Sequence, residues 1–129
     1  MVRNWQGEVW HALEAELAKY GKKIRKPRPA VGFEVDAEFD GNTGPLLVEI
    51  KTGLTASDIY EAFGQLMLYR QLMPSLQNHT PILLVPRGSS SVLLDAVAKL
   101  KVTVATYSRN EENDKEVTFS PEFRKLWEV

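Results

Sequence analysis

Two carboxylates and a lysine within residues 32–52, GFEVDAEFDGNTGPLLVEIKT, have the spacing to surround a cation. Read as an alternating strand, the first part puts Val35, Ala37 and Phe39 on one face and Glu34, Asp36, Glu38 and Asp40 on the other. The second part puts Leu46, Val48 and Ile50 on one face and Leu47, Glu49 and Lys51 on the other. Between them, Gly41-Asn42-Thr43-Gly44 is a run of turn formers. Closing the hairpin on those four residues pairs Asp40 with Pro45, which sets Asp36 opposite Glu49 and Glu34 opposite Lys51. Directly opposed residues share a face with Cβ atoms roughly 5 Å apart. Two acids so placed repel one another unless a cation lies between them. The competing readings are two solvated surface acids and, for Lys51, a cross-strand salt bridge to Glu34. Glu38 and Asp40, nearer the turn, read as solvated acids or minor contributors to the site.

The elements that must hold this hairpin follow from periodicity. Asn4 to Tyr20 reads as a helix with Asn4 as N-cap and Gly21 as its stop, its apolar stripe being Val9, Trp10, Leu13, Leu17 and Tyr20. Beside the stripe run Gly7, His11, Glu14 and Ala18, carrying two side chains able to ligate a metal. A linker with Pro27 and Pro29 holds a short strand near Ile24. A second helix over Ser57–Met73 is apolar almost all round, which predicts burial on more than one side and close packing at Gly64. Gln65 and Tyr69, four apart, lie on one face of it. The apolar run Pro81–Pro86 reads as a buried central strand, followed by a helix over Ser90–Leu100 and a strand over Lys101–Tyr107. This β-α-β unit implies parallel strands. An acidic loop at Glu111–Asp114, an edge strand at Glu116–Phe119 and a short helix carrying Trp127 complete the chain.

At 129 residues the chain is expected to form one domain, 1–129, with a single core. No apolar run approaches the roughly 18 residues that span a bilayer, and the first residues lack a signal-peptide core, so a cytoplasmic protein with no membrane association is expected. Without cysteine, disulfides, thiolate zinc sites and iron–sulfur clusters are excluded. The net charge of −1 conceals a basic strip in which Lys19, Lys22, Lys23, Arg25, Lys26 and Arg28 follow one another with no intervening acid. It reads either as a solvated helix end or as a phosphate-contacting surface.

The order helix, acidic hairpin ending in ExK, helix, strand, helix, strand resembles the core of the PD-(D/E)xK nuclease superfamily, carried by Val35-Asp36 and Glu49-Ile50-Lys51. Gln65-x-x-x-Tyr69 is similar to the QxxxY motif of its RecB-like branch, and Gly7-x-x-x-His11 followed by Leu13-Glu14 is similar to that branch's N-terminal GxxxH motif. Together these cover roughly Gly7 to Tyr107. The proline common before the aspartate is Val35 here, and the cysteines of the iron–sulfur members are missing.

The resemblance implies an α/β, restriction-endonuclease-like core with a central mixed sheet flanked by helices. It also implies Mg²⁺- or Mn²⁺-dependent hydrolysis of DNA phosphodiester bonds, by an exonuclease or a structure-selective endonuclease. Asp36, Glu49 and the backbone carbonyl of Ile50 would supply oxygens to a hard cation that retains several waters. The ion would acidify a bound water and stabilise charge on the phosphoryl oxygens. Lys51 would stabilise developing charge or orient the water. Gln65 and Tyr69 would position nucleic acid or Lys51, and His11 would ligate metal, with Glu14 its rival. Lys22, Lys23, Arg25, Lys26 and Arg28 would contact the backbone of DNA. A homodimer would double the DNA contact area of so small a chain. The alternative is a non-catalytic nucleic-acid-binding module that keeps the fold.

Overall fold

The computed structural model describes residues 5–26, 36–53, 55–88, 92–109 and 116–128. Glu34, Val35, Arg28, the two linker prolines and the acidic loop lie outside the described residues. In chain order the elements are α1 (Trp5–Ala18), β1 (Ala37–Gly41), β2 (Gly44–Ile50), α2 (Ala56–Leu72), β3 (Thr80–Pro86), α3 (Val92–Lys99), β4 (Thr103–Arg109), β5 (Val117–Phe119) and α4 (Pro121–Arg124), with a 3₁₀ turn at Pro74–Leu76.

The five strands form one mixed sheet in the order β1-β2-β3-β4-β5. β2, β3 and β4 are parallel, with α2 and α3 as their connections, while β1 and β5 close the two edges antiparallel. The hairpin has the expected register: Asp40 pairs with Pro45, Gly41 with Gly44, and Asn42-Thr43 make the turn. Its tip is held by the C-terminal segment, whose Leu126 carbonyl accepts from the Asn42 N–H at 2.7 Å. A Cβ on Gly41 would come within 2.9 Å of that carbonyl oxygen, so the close approach requires glycine.

The alternation along the strands sorts the core into two layers. Ala37, Phe39, Leu46, Val48, Ile50, Ile82 and Leu84 face α1 and the C-terminal segment, where Val9, Leu13, Leu17 and Trp127, which lies in the turn beyond α4 rather than in the helix, cover them. Leu47, Leu83 and Val85 face α2 and α3, meeting Ile59, Ala62, Leu66, Leu94 and Val97. The acids of β1 and β2 share this second face by parity.

Four expectations are corrected. The second helix is buried on one side only: Tyr60, Leu68 and Leu72 are exposed at 64%, 60% and 55%. Gly64 is not a close-packing position, since a Cβ there would meet nothing within 4 Å. The fourth strand begins at Thr103 rather than Lys101, because Lys101 adopts φ +70° to turn the chain out of α3. The strand near Ile24 is reduced to a single bridge between Arg25 and Glu38. Gly21, at φ +71°, stops α1 as expected.

Candidate metal centre at the end of the hairpin

The β1–β2 ladder ends at Ala37 opposite Val48, which leaves Asp36 and Glu49 as the next pair in register, just beyond it. Asp36 is tied down from three sides. Its Oδ2 accepts from the Ile50 backbone N–H at 2.9 Å and from Gln6 Nε2 at 2.8 Å, and its carbonyl accepts from Trp10 Nε1 at 2.8 Å. Gln6 and Trp10 thus fasten the first turns of α1 to the strand end. Gln6 Nε2 also donates to the Ile50 carbonyl at 3.2 Å.

Glu49 is 5% exposed. Burial, then the hydrogen bond and negative charge of Asp36, push its carboxyl from the ordinary 4.5 up to about 10, against the opposing pull of Lys51. At neutral pH Glu49 therefore keeps its proton in the metal-free protein. Lys51 Nζ lies 3.8 Å from Glu49 Oε2 and donates to Glu61 Oε1 of α2 at 2.9 Å. Burial works against its ammonium, but the hydrogen bond to Glu61 and the surrounding carboxylates outweigh it, so its pKa rises above that of ordinary lysine. Lys51 is consequently a cation here, suited to stabilising charge rather than to removing a proton. Its backbone is clamped too: its N–H donates to the Leu84 carbonyl at 3.0 Å and its carbonyl accepts from the Tyr107 hydroxyl at 3.1 Å. Glu34, the alternative partner of Lys51, lies outside the described residues.

The donor set suits a hard divalent cation. Two carboxylates and the Ile50 carbonyl are oxygen donors, and the raised pKa of Glu49 marks a place where positive charge is missing. Among the described residues no three His, Asp or Glu side chains are grouped to hold a metal, so the backbone carbonyl and water would have to complete its coordination.

A cavity of about 330 Å³ opens beside this pair, lined by Gln6, Gly7, Trp10, His11, Lys26, Asp36 and Ile50. The Gly7 and His11 of the N-terminal motif are therefore brought to Asp36. His11 is held loosely, its side chain 74% exposed and its Nδ1 3.5 Å from Glu14 Oε1. Glu14 faces His11 and is not among the residues lining the cavity. On α2, Glu61, Gln65 and Tyr69 follow one another at one-turn spacing, so the residue that holds Lys51 belongs to the same strip as the other two. Gln65 Oε1 is buried without a hydrogen-bond partner.

Of the basic strip, Lys26 reaches the cavity, while Lys22 and Lys23 stand outside it. Arg25 is engaged elsewhere: its Nε donates to Glu38 Oε1 at 2.8 Å, and its guanidinium lies 3.9 Å from Asp40. Arg28 lies outside the described residues. Glu38, expected to be solvated, is instead a 13% exposed side chain gripped between Arg25 and the buried His79, whose Nε2 lies 2.5 Å away. Asp40 is 70% exposed, as its place near the turn predicts.

Sequence reasoning missed Gln6, Trp10, Glu61 and Tyr107. Three of them act on or through backbone carbonyls, which leave no trace in a pattern of side-chain types. Glu61 alone had a signal, being one turn before Gln65.

No family model matches the chain, and no curated protein matches it. A search of solved structures finds the structure of Pyrococcus furiosus SfsA in complex with Ca²⁺ at a TM-score of 0.55 and 15% identity, covering 88% of this chain. The chain spans 61% of the length of that protein. The likeness shows the fold: an α/β core of a mixed five-stranded sheet with flanking helices. It does not single out the RecB-like branch.

Proposed function

We propose that the chain is a Mg²⁺- or Mn²⁺-dependent deoxyribonuclease of RecB-like type. The observation that carries this reading is Glu49, a buried carboxyl forced against Asp36 with Lys51 at 3.8 Å. A fold gains nothing in stability from that arrangement, whereas a divalent cation turns it into a coordination site. Asp36, Glu49 and the Ile50 carbonyl would hold the ion, which when bound supplies an acidified water and a clamp on the scissile phosphate. The Lys51 ammonium, fixed by Glu61, would stabilise charge developing on the phosphoryl oxygens. His11 would reach the ion from α1 across the cavity. Gln65 and Tyr69 would steady Lys51 or the nucleic acid from α2. Lys22, Lys23 and Lys26, with Arg28, would carry the DNA backbone, and Arg25 would serve through its ion pairs. The Ca²⁺ in the SfsA structure supports a cation reading for this fold.

Linear and closed-circular DNA incubated in Mg²⁺ and in Mn²⁺ tests the reading. Cleavage is expected with metal and absent in EDTA, and Glu49→Ala and Lys51→Ala proteins that remain folded should lose at least about 100-fold in rate. Metal-independent cleavage, or rates in those variants equal to wild type, would overturn it. One observation favours the second reading, a non-catalytic nucleic-acid-binding module: among the described residues no three metal-ligating side chains are grouped. DNA binding with no calorimetric uptake of Mg²⁺ or Mn²⁺ would select it.

A further inference from the structure

Gln6 makes two side-chain hydrogen bonds at the candidate centre. Its Nε2 donates to Asp36 Oδ2 at 2.8 Å and to the Ile50 carbonyl oxygen at 3.2 Å. Those are two of the oxygens that the metal reading assigns to the ion, so one N–H₂ group stands where positive charge is wanted. The Ile50 carbonyl is the sharper case. A divalent cation and an N–H donor both seek its outward lone pairs, so the amide nitrogen must withdraw as the ion enters. An amide nitrogen cannot itself ligate a hard cation, because its lone pair is delocalised into the carbonyl. The carbonyl oxygen at the other end of the same group can. Turning the amide over exchanges Nε2 for Oε1 at nearly the same point, and the backbone of α1 need not move. Gln6 is exposed, in the first turn of α1, so no packed neighbours oppose that turn. Trp10, one helical turn on, keeps α1 fastened to Asp36 through the separate bond from Nε1 to the Asp36 carbonyl. Gln6 also lines the cavity shared by Asp36, Ile50 and His11, so its oxygen would enter from the same side as His11.

We propose that Gln6 is a ligand of the divalent cation through Oε1, its amide nitrogen holding the ion's place on Asp36 and Ile50 in the metal-free protein. The inference rests on the metal-dependent reading above and adds a donor that the acid–lysine motif does not contain. Its oxygen brings the first-strand, second-strand and helix donors to one centre, which answers the shortage of grouped acidic and histidine side chains among the described residues.

The test is Mn²⁺ titration by calorimetry, with no nucleic acid present, on wild type, Gln6→Ala and Gln6→Glu, together with the melting temperature of each protein in EDTA. As a ligand, Gln6 truncated to alanine should weaken Mn²⁺ binding by about 10- to 100-fold. Gln6→Glu should restore or exceed wild-type affinity, while melting below wild type in EDTA because a third carboxylate then faces Asp36. Gln6→Ala binding Mn²⁺ as tightly as wild type or more tightly would overturn the proposal, since a mere placeholder competes with the ion. Gln6→Glu binding more weakly than Gln6→Ala would overturn it equally. If wild type itself takes up no Mn²⁺, the nuclease reading fails at its root. Equal affinities across the three proteins would sink only the role of Gln6.

Discussion

At the scale of the residue, Glu49 decides how the site behaves without metal. The unfolded chain gives up the Glu49 proton near the ordinary 4.5, while the folded chain keeps it to about 10. Between those values unfolding releases a proton, so rising pH favours the unfolded state. The contribution is complete below about pH 4.5 and disappears as pH climbs through about 10, with a slope of at most about 1.4 kcal/mol per pH unit. Glu49→Gln cannot lose a proton and lacks this slope. In EDTA its melting temperature should exceed that of wild type at pH 8, and the gap should narrow at pH 5. Thermal melts of both proteins across that range check the sign, and parallel curves would refute it. With Mn²⁺ the ion takes the place of the proton, so wild type should gain stability and Glu49→Gln should not. The three residues at the heart of this argument were legible in the sequence, because a period-two pattern and a short turn suffice to place Asp36 against Glu49 and Lys51 beside them. Gln6 and Tyr107 were not, since each reaches the hairpin from 44 and 56 residues away through a bond to a carbonyl. The environment of Glu38 was misread for the same reason: His79, 41 residues on, is what removes it from water.

At the scale of the element, α2 shows where composition misleads. Its apolar residues are spread round the helix, yet only Ile59, Ala62 and Leu66 are buried, and the line Tyr60, Leu68, Leu72 faces outward. Composition records what a helix could bury, while the sheet it packs on offers one face only. The existence and limits of the helix were easier to read because local chemistry fixes them: Thr55 accepts from the Asp58 N–H at 3.1 Å while Asp58 accepts in return from the Thr55 N–H. Two consequences have opposite signs. Gly64→Ala should stabilise the protein by about 0.5–1 kcal/mol, because the new methyl meets open space and the helix no longer bears glycine's backbone entropy. Thr55→Ala should destabilise it by about 1 kcal/mol through loss of the cap. Urea titrations of both variants, read at unchanged m-value, would show the midpoint moving up for the first and down for the second. A Gly64→Ala midpoint below that of wild type would mean that α2 is packed on that side after all.

At the scale of the whole molecule, Lys22 and Lys23 stand outside the cavity beside Asp36, and that placement shapes how an anionic polymer could be held. The sheet end sets Asp36, beside Glu49, on the wall of a cavity that Lys26 also borders, while Lys22 and Lys23 follow directly on the turn that ends α1. The net charge of −1 gives no long-range pull on DNA, so binding must come from this local strip. Arg25 adds little to it, because Glu38 and Asp40 already face its guanidinium. If Lys22 and Lys23 each neutralise a phosphate, removing both should reduce the slope of log affinity against log salt by about 2 and weaken binding alike for all sequences. Arg25→Ala should leave that slope nearly unchanged and instead lower the melting temperature, since it strips the half-buried Glu38 carboxylate of its guanidinium. DNA binding by fluorescence anisotropy, in Ca²⁺ between about 50 and 200 mM salt, separates these outcomes without cleavage. A full loss of slope in Arg25→Ala with none in the double lysine variant would move the DNA path to the far side of β1. A slope near zero in wild type would leave the strip as a solvated helix end and take the nucleic acid out of the reading.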